Sequence, residues 1–175
     1  MAETSITSMW APKGSKPKVK SYAKKDKISY SGFVIPATGK LYTCKPQWFN
    51  YETTIEALRS FLKECPAPEG CKYYLVMDNA TWHKKAKRLI KENVNGEYSD
   101  IKDQVVFVYL PPYSPDLNPI EQVWRITRRE AKHNRFFSSA NELEVALDDY
   151  YSFYSEPNEY LKSLCSFDFG CDESA

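Results

Sequence analysis

The spacing of hydrophobic and polar positions changes several times along the chain, and each change marks an element. From Lys18 to Tyr22 basic residues alternate with others, as in an edge strand. Ile28, Tyr30, Phe33, Val34 and Ile35 read as a strand. PATG (36–39) reads as a hairpin turn in which Gly39 is free to take positive φ, and Lys40–Cys44 as the return strand. Asn50 is a helix cap, after which Ile55, Leu58, Phe61 and Leu62 recur at helical spacing through YETTIEALRSFLKE until CPAPEG breaks the pattern. YYLVMD is a short apolar run, expected as a buried strand ending at Asp78. In HKKAKRLIKEN the residues Trp82, Ala86, Leu89 and Ile90 share one helical face, and Lys84, Lys85, Lys87, Arg88 and Lys91 cover the rest. VNGEYSD reads as a loop and VVFVYL as a second buried strand. ELEVALDDYYSFYS is a further amphipathic helix, and residues from about 165 to 175 (CSFDFGCDESA) a loose tail. Hairpin, helix, strand, helix, strand, helix in that order predicts an α/β fold, a mixed sheet with helices packed on it.

Composition narrows the class. The 175 residues, 27% charged and 42% hydrophobic, suit one domain with a real core. A net charge of +1 announces no nucleic-acid partner by itself, so any such reading rests on local clustering. No apolar run is long enough to span a bilayer, and MAETSITSMW lacks the pattern of a signal peptide. The five cysteines, Cys44, Cys65, Cys71, Cys165 and Cys171, are odd in number and form no CxxC pair. Reduced thiols in a cytosol are expected, with a Cys65–Cys71 disulfide around CPAPEG the alternative.

The stretch LPPYSPDLNPIEQVW (110–124) carries the most chemistry. Asn118 is a strong cap residue, Pro119 falls at the first helical position where a missing N–H costs nothing, and Glu121 lands at the acceptor place of a capping box. Capping explains Glu121 completely. A second reading comes from context: one apolar strand delivers Asp78 to its end, and the next delivers a proline-stiffened turn and then Glu121. Two carboxylates at the carboxyl ends of neighbouring strands suit a hard divalent cation, Mg2+ or Mn2+. In phosphodiester chemistry such a site activates a water or hydroxyl and stabilises the leaving oxygen.

YLVMDNATWH and LPPYSPDLNPIEQVW together resemble the second and third blocks of the DDE/D transposases of the mariner-like superfamily, including the insertion-sequence branch of bacteria and archaea. WAPKGSKPKV, the GFVIPATGKLY hairpin and NYETTIEALRSFL are similar to that branch too, in the same order, so the resemblance covers nearly the whole chain. It implies an RNase H-like fold, magnesium- or manganese-dependent cleavage of DNA at element ends, and strand transfer into a target. It makes Asp78 the second catalytic and metal-binding acid and Glu121 the third. Asn79 and His83 match residues that accompany the second acid; turn chemistry and helix capping account for them equally. Asp116, in the same rigid loop as Asn118, reads as a turn or cap acceptor, with contact to metal or DNA the alternative.

The pattern fails at the first acid. The family's first catalytic aspartate precedes the WAPKG-like block, and this sequence has none there. Either Ala2-Glu3 stands where an Asp-Glu pair belongs, or the first central strand is missing; Asp26 lies in a basic turn and matches nothing. Two carboxylates instead of three predict weak metal binding and impaired cleavage. A missing central strand would leave a sheet edge that invites a second copy, so a homodimer is expected.

Arg125, Arg128, Arg129 and Lys132 recur at i, i+3, i+4 and i+7 as one basic face of the helix that carries Glu121. Beside a phosphodiester site they are a candidate phosphate track; alone they read as a solvated surface. Lys84 and Lys85 and the lysine-rich N-terminal segment are weaker DNA-binding candidates. No helix-turn-helix is visible, and the family's sequence-specific domain normally precedes the catalytic one, so the whole chain, 1–175, is expected to be a single catalytic domain binding DNA without much sequence preference. Two other readings stand beside the transposase: a non-catalytic DNA-binding or dimerisation remnant, and an RNase H-like nuclease for other substrates.

Overall fold

The structure is a computed structural model, described for Lys13 and for residues 28–132 and 135–166. The expected Lys18–Tyr22 strand, Ala2, Glu3 and Asp26, Cys171, and residues 167–175 of the tail lie outside the described residues. The chain forms two compact units. A sheet unit holds Ser29–Phe33 and Tyr42–Glu121, and the described parts of a helical unit are Lys13, Ile28, Val34–Leu41 and residues 122–132 and 135–166.

The chain opens with the hairpin β1 (Ser31–Ile35) and β2 (Lys40–Cys44). In the sheet unit, helix α1 (Tyr51–Glu64) follows, with the expected cap extended to a capping box. Asn50 Oδ1 accepts from the Thr53 N–H at 2.8 Å, and Thr53 Oγ1 accepts from the Asn50 N–H at 3.1 Å. Its apolar face buries Ile55, Ala57, Leu58, Phe61 and Leu62, each large side chain contributing roughly 1.5–3 kcal/mol on burial. Phe61 is the hub: its ring lies 4.8 Å from Phe33, 5.9 Å from Tyr42 and 5.4 Å from Tyr73.

Strand β3 (Tyr73–Met77) then pairs in parallel with β4 (Val105–Tyr109), Tyr73 opposite Val105 and Met77 opposite Tyr109. The crossover between them contains helix α2 (Thr81–Glu92), as a parallel pair requires. Two expectations change here. VNGEYSD is not simply a loop: it begins with a 3-10 turn, Val94–Gly96, and leads into the short helix α3 (Ser99–Lys102). Asn93 in the left-handed region makes that reversal, with its Oδ1 accepting the Tyr98 N–H at 2.7 Å. Nor are β3 and β4 buried strands. Met77 and Val105 are covered, but Tyr74, Val76, Val106 and Val108 are exposed, Tyr74 at 73%. The continuous apolar run concealed this alternation, because both faces are apolar and only one is covered.

Arg59 on α1 clamps α3 with a two-pronged pair to Asp100 and a bond from its Nη2 to the Glu97 carbonyl at 3.0 Å. The Arg59 guanidinium holds the Asp100 carboxyl below the usual carboxylate range. Among the described residues no disulfide forms: Cys44, Cys65, Cys71 and Cys165 are all free thiols.

In the helical unit, α4 (Pro119–Thr127), whose first residues close the sheet unit, passes into a π-helical segment, Arg128–Lys132. Helices α5 (Ala140–Ser152) and α6 (Glu159–Cys165) follow, capped by the side chains of Ser139 and Asn158. Leu41, Val123, Ile126, Ala131, Leu143, Leu147, Tyr151, Tyr154 and Leu161 make the core. Cys165, read from sequence as the start of the tail, is the fully buried last residue of α6, and burial pushes its thiol pKa up to about 11. The C-terminal aromatics split: Tyr151 and Tyr154 are core, whereas Phe153 is 71% exposed. Glu130 gathers a polar cluster, its Oε1 accepting from Arg129 at 2.8 Å and Tyr160 at 3.1 Å and its Oε2 from Tyr150 at 2.9 Å.

Gly39 is where the hairpin tip meets this unit. The Asn158 N–H donates to Thr38 O at 2.9 Å, and the Leu41 N–H to Tyr154 O at 2.8 Å. Gly39 has φ +69°, and a Cβ there would overlap the Asn158 carbonyl and the Lys162 nitrogen, both backbone atoms. Gly39→Ala therefore combines left-handed strain with a backbone clash and is expected to cost about 3 kcal/mol or more by chemical denaturation; a loss below about 0.5 kcal/mol would contradict the packing. The Asp100 pair predicts a pH effect. Its folded pKa is depressed, so its contribution is present above the unfolded value near pH 4 and is lost as pH falls through the folded one. Both side chains are nearly half exposed, so the contribution is under about 1 kcal/mol. Asp100→Asn should lower stability at pH 7 and narrow the gap to wild type in melts below pH 4.

Candidate active site

The site is built where β3 and β4 end. The pairing continues one step past the strands, with the Leu110 N–H donating to Met77 O at 3.0 Å. Asn79 closes the same junction, its Nδ2 donating to the Leu110 carbonyl at 2.6 Å. Sequence reasoning left Asn79 between turn chemistry and support. Its bond reaches across to the neighbouring strand end, a role local spacing does not reveal.

Asp78 follows Met77 directly, and its side chain is 63% exposed. Its Oδ1 accepts from the Ala80 N–H at 3.0 Å, a local turn that begins α2. The same oxygen lies 2.7 Å from His83 Nδ1, where the Nδ1–H tautomer donates. His83 sits one turn into α2 with its ring edge against Trp82. Both donors converge on Oδ1. Together they fix the carboxylate plane, and His83 does more than cap a helix.

Beyond Leu110 the chain runs through a turn at Pro112–Tyr113 and a 3-10 turn, Pro115–Leu117. Asp116 is exposed in that 3-10 turn. Asn118 is buried, has extended backbone, and accepts the Glu121 N–H on its main-chain oxygen at 3.0 Å. Glu121 stands half-buried in the first turn of α4, as its spacing from Asn118 predicts.

Of the cationic candidates, Lys84 is exposed on α2, while the Lys85 ammonium stands 3.5 Å above the Tyr51 ring. Lys87 similarly covers Tyr109 at 4.4 Å. In the helical unit, Arg125, Arg128 and Arg129 are exposed and Lys132 half-buried. The uniform helical stripe needs correction, because the backbone changes from α to π at Arg128 and the spacing per turn with it. Arg129 is also engaged by Glu130 and Tyr160. Val123, Ile126, Thr127 and Ala131 are buried in the same stretch.

Sequence reasoning missed Tyr109 and Tyr113. The Tyr109 hydroxyl is buried with no partner among the described residues, and burial raises its pKa. Only pairing register, which places this last residue of β4 opposite Met77, could have drawn attention to it. Tyr113 is a non-glycine residue at φ +59°.

Carboxylate oxygens suit a hard divalent cation in kind. In number they fall short: among the described residues no three Asp, Glu, His or Cys side chains gather to hold a metal.

Comparison with known proteins places this architecture. Residues 2–144 match the family described as DDE superfamily endonuclease. The uncharacterized protein y4pE/y4sA of Sinorhizobium fredii (strain NBRC 101917 / NGR234) is 30% identical over 90 residues, covering 50% of this chain and 58% of that protein. The chain thus spans less than two thirds of this curated relative. No solved structure matches. No helix among the described residues is long and apolar enough to cross a membrane. With the family match running from residue 2 through β3, β4 and the start of α5, this chain belongs to the DDE superfamily endonucleases.

Proposed function

We propose that this chain is the catalytic domain of a DDE transposase of the mariner-like superfamily, in its insertion-sequence branch, acting on DNA at element ends and at a target. The observation that carries the reading is the junction of β3 and β4: it sets Asp78 at one strand end and starts the loop to Glu121 at the next. In this reading the RNase H-like sheet is the frame, and Asp78 and Glu121 are its second and third acids. Asn79 and His83 support Asp78, and Asn118 and Asp116 shape the loop. Lys84, Lys85, Arg125, Arg128, Arg129 and Lys132 are the candidate contacts to phosphates. A divalent cation, Mg2+ or Mn2+, supplies charge neutralisation and activation of the attacking oxygen when bound. The chain's own residues orient and bind: His83 and the Ala80 N–H fix one oxygen of Asp78, leaving its other oxygen for substrate or cation. With Asp78 and Glu121 as its only acids, the site would cleave poorly.

The competing reading, a DNA-binding or dimerisation remnant, predicts no metal-dependent chemistry at this site. Titration of Mn2+ into the chain by calorimetry should show weak binding alone and tighter binding with element-end DNA present. Asp78→Asn and Glu121→Gln should each abolish that gain and lower any residual nicking at least about 100-fold. Nicking that survives both substitutions would assign the activity elsewhere, and DNA binding with no metal dependence would favour the remnant.

A homodimer belongs to the same reading, and the uncovered side of β3 and β4 supports it. Tyr74, Val76, Val106 and Val108 form an exposed apolar surface on a parallel pair, a kind of sheet usually covered on both faces. Sedimentation should show self-association at micromolar concentration, weakened at least about 10-fold by Val108→Lys. A wild-type monomer at high concentration would rule out the dimer.

A further inference from the structure

Tyr113 is the most exposed large hydrophobic side chain among the described residues, with a relative exposure of 102%; the next, Tyr74, reaches 73%. It also has φ +59°, a region L side chains seldom occupy and which glycine or asparagine normally fills. The other two such residues are Asn93 and Asn95, and Asn93 compensates with side-chain bonds to Ser99 and the Tyr98 N–H. Tyr113 shows no comparable compensation: among the described residues its hydroxyl makes no hydrogen bond and its ring no stacking contact. Pro111 and Pro112 precede it and Pro115 follows, and Leu110, three residues back, is tied to both Met77 and Asn79. Three residues reach at most about 11 Å, so the Tyr113 backbone stays within that distance of the end of β4, the strand paired with the one that leads to Asp78.

A strained backbone that presents an unpartnered aromatic ring wholly to solvent contributes nothing to the core, and strain of this kind persists where a ligand uses it. Prolines on both sides restrict φ along this stretch, which limits the backbone freedom lost when the ring stacks. Aromatic rings in such positions take up the flat face of an unstacked base, whatever its identity. We propose that Tyr113 is a stacking platform for an unpaired nucleobase of the DNA held at the Asp78 end of the sheet. The proposal rests on the DNA-processing reading above and adds to it a preference for frayed or single-stranded ends over intact duplex.

The test uses the full chain and two DNA probes, a duplex ending in a short 3′ overhang that carries 2-aminopurine, and a blunt duplex with 2-aminopurine paired inside. Wild type should quench the overhang probe on binding. Tyr113→Ala should lose the quench and bind the overhang about 10-fold more weakly, while blunt-duplex affinity stays within about two-fold. Tyr113→Phe should keep both. Tyr113→Gly, which relieves the backbone, should melt no lower than wild type and yet lose the quench, separating a role in recognition from a role in folding. An unchanged quench in Tyr113→Ala, or an equal loss of affinity for both probes, overturns the platform and leaves the DNA reading standing. Failure of wild type to bind either probe overturns both.

Discussion

The parallel pairing of β3 with β4, carried past the strands by the Leu110 N–H to Met77 O bond, is the constraint on which the site depends. Met77 and Tyr109 are brought side by side from opposite ends of a crossover that includes α2 and α3. A parallel pair cannot be closed by a tight turn, so this juxtaposition is set by packing of α1, α2 and α3 and by pairing register together. Asn79 adds a side-chain bond at the same junction, and the two bonds fix the points from which Asp78 and the proline-rich loop depart.

Local chemistry then decides what those departures present. One oxygen of Asp78 is taken by the Ala80 N–H and His83, so the group is oriented although most of it faces solvent. Tyr113, flanked by prolines, faces solvent. Glu121 is fixed differently, in the first turn of α4, where its N–H donates to the Asn118 carbonyl. Both Asp78 and Glu121 are carboxylates, the kind of ligand a hard cation takes, but among the described residues no three ligating side chains gather.

The polar cluster around Glu130 shows the same economy in the helical unit. Hydrogen bonding from Arg129 foremost, with Tyr150 and Tyr160, holds its carboxyl below the usual range. Burial raises the hydroxyl pKa of Tyr150 well above an ordinary tyrosine, so that group remains a donor. The cluster joins the π-helical segment to α5 and α6, and it explains why Arg129 cannot be treated as one more cation in a solvated stripe.

Much of this was legible in the sequence. The cap at Asn50, the hairpin tip at Gly39, the face of α1 through Phe61 and the Pro119–Glu121 register are local facts, encoded by spacing within a few residues and recovered unchanged. The motif pair around Asp78 and Glu121 was likewise readable, and it leads to the family. Tertiary structure alone decided the rest. Whether Val76 and Val108 are covered depends on what lies across the sheet, which an apolar run does not specify. Asn79 bonds a residue 31 positions away, the phase of the Arg125–Lys132 stripe depends on a change of helix type, and Cys165 becomes core because Asn158 caps one more helix. The physical reason is common to all four. Turn, cap and periodicity signals act over one or two turns of chain, whereas burial, register and long-range hydrogen bonds are settled only when distant segments compete for the same surface.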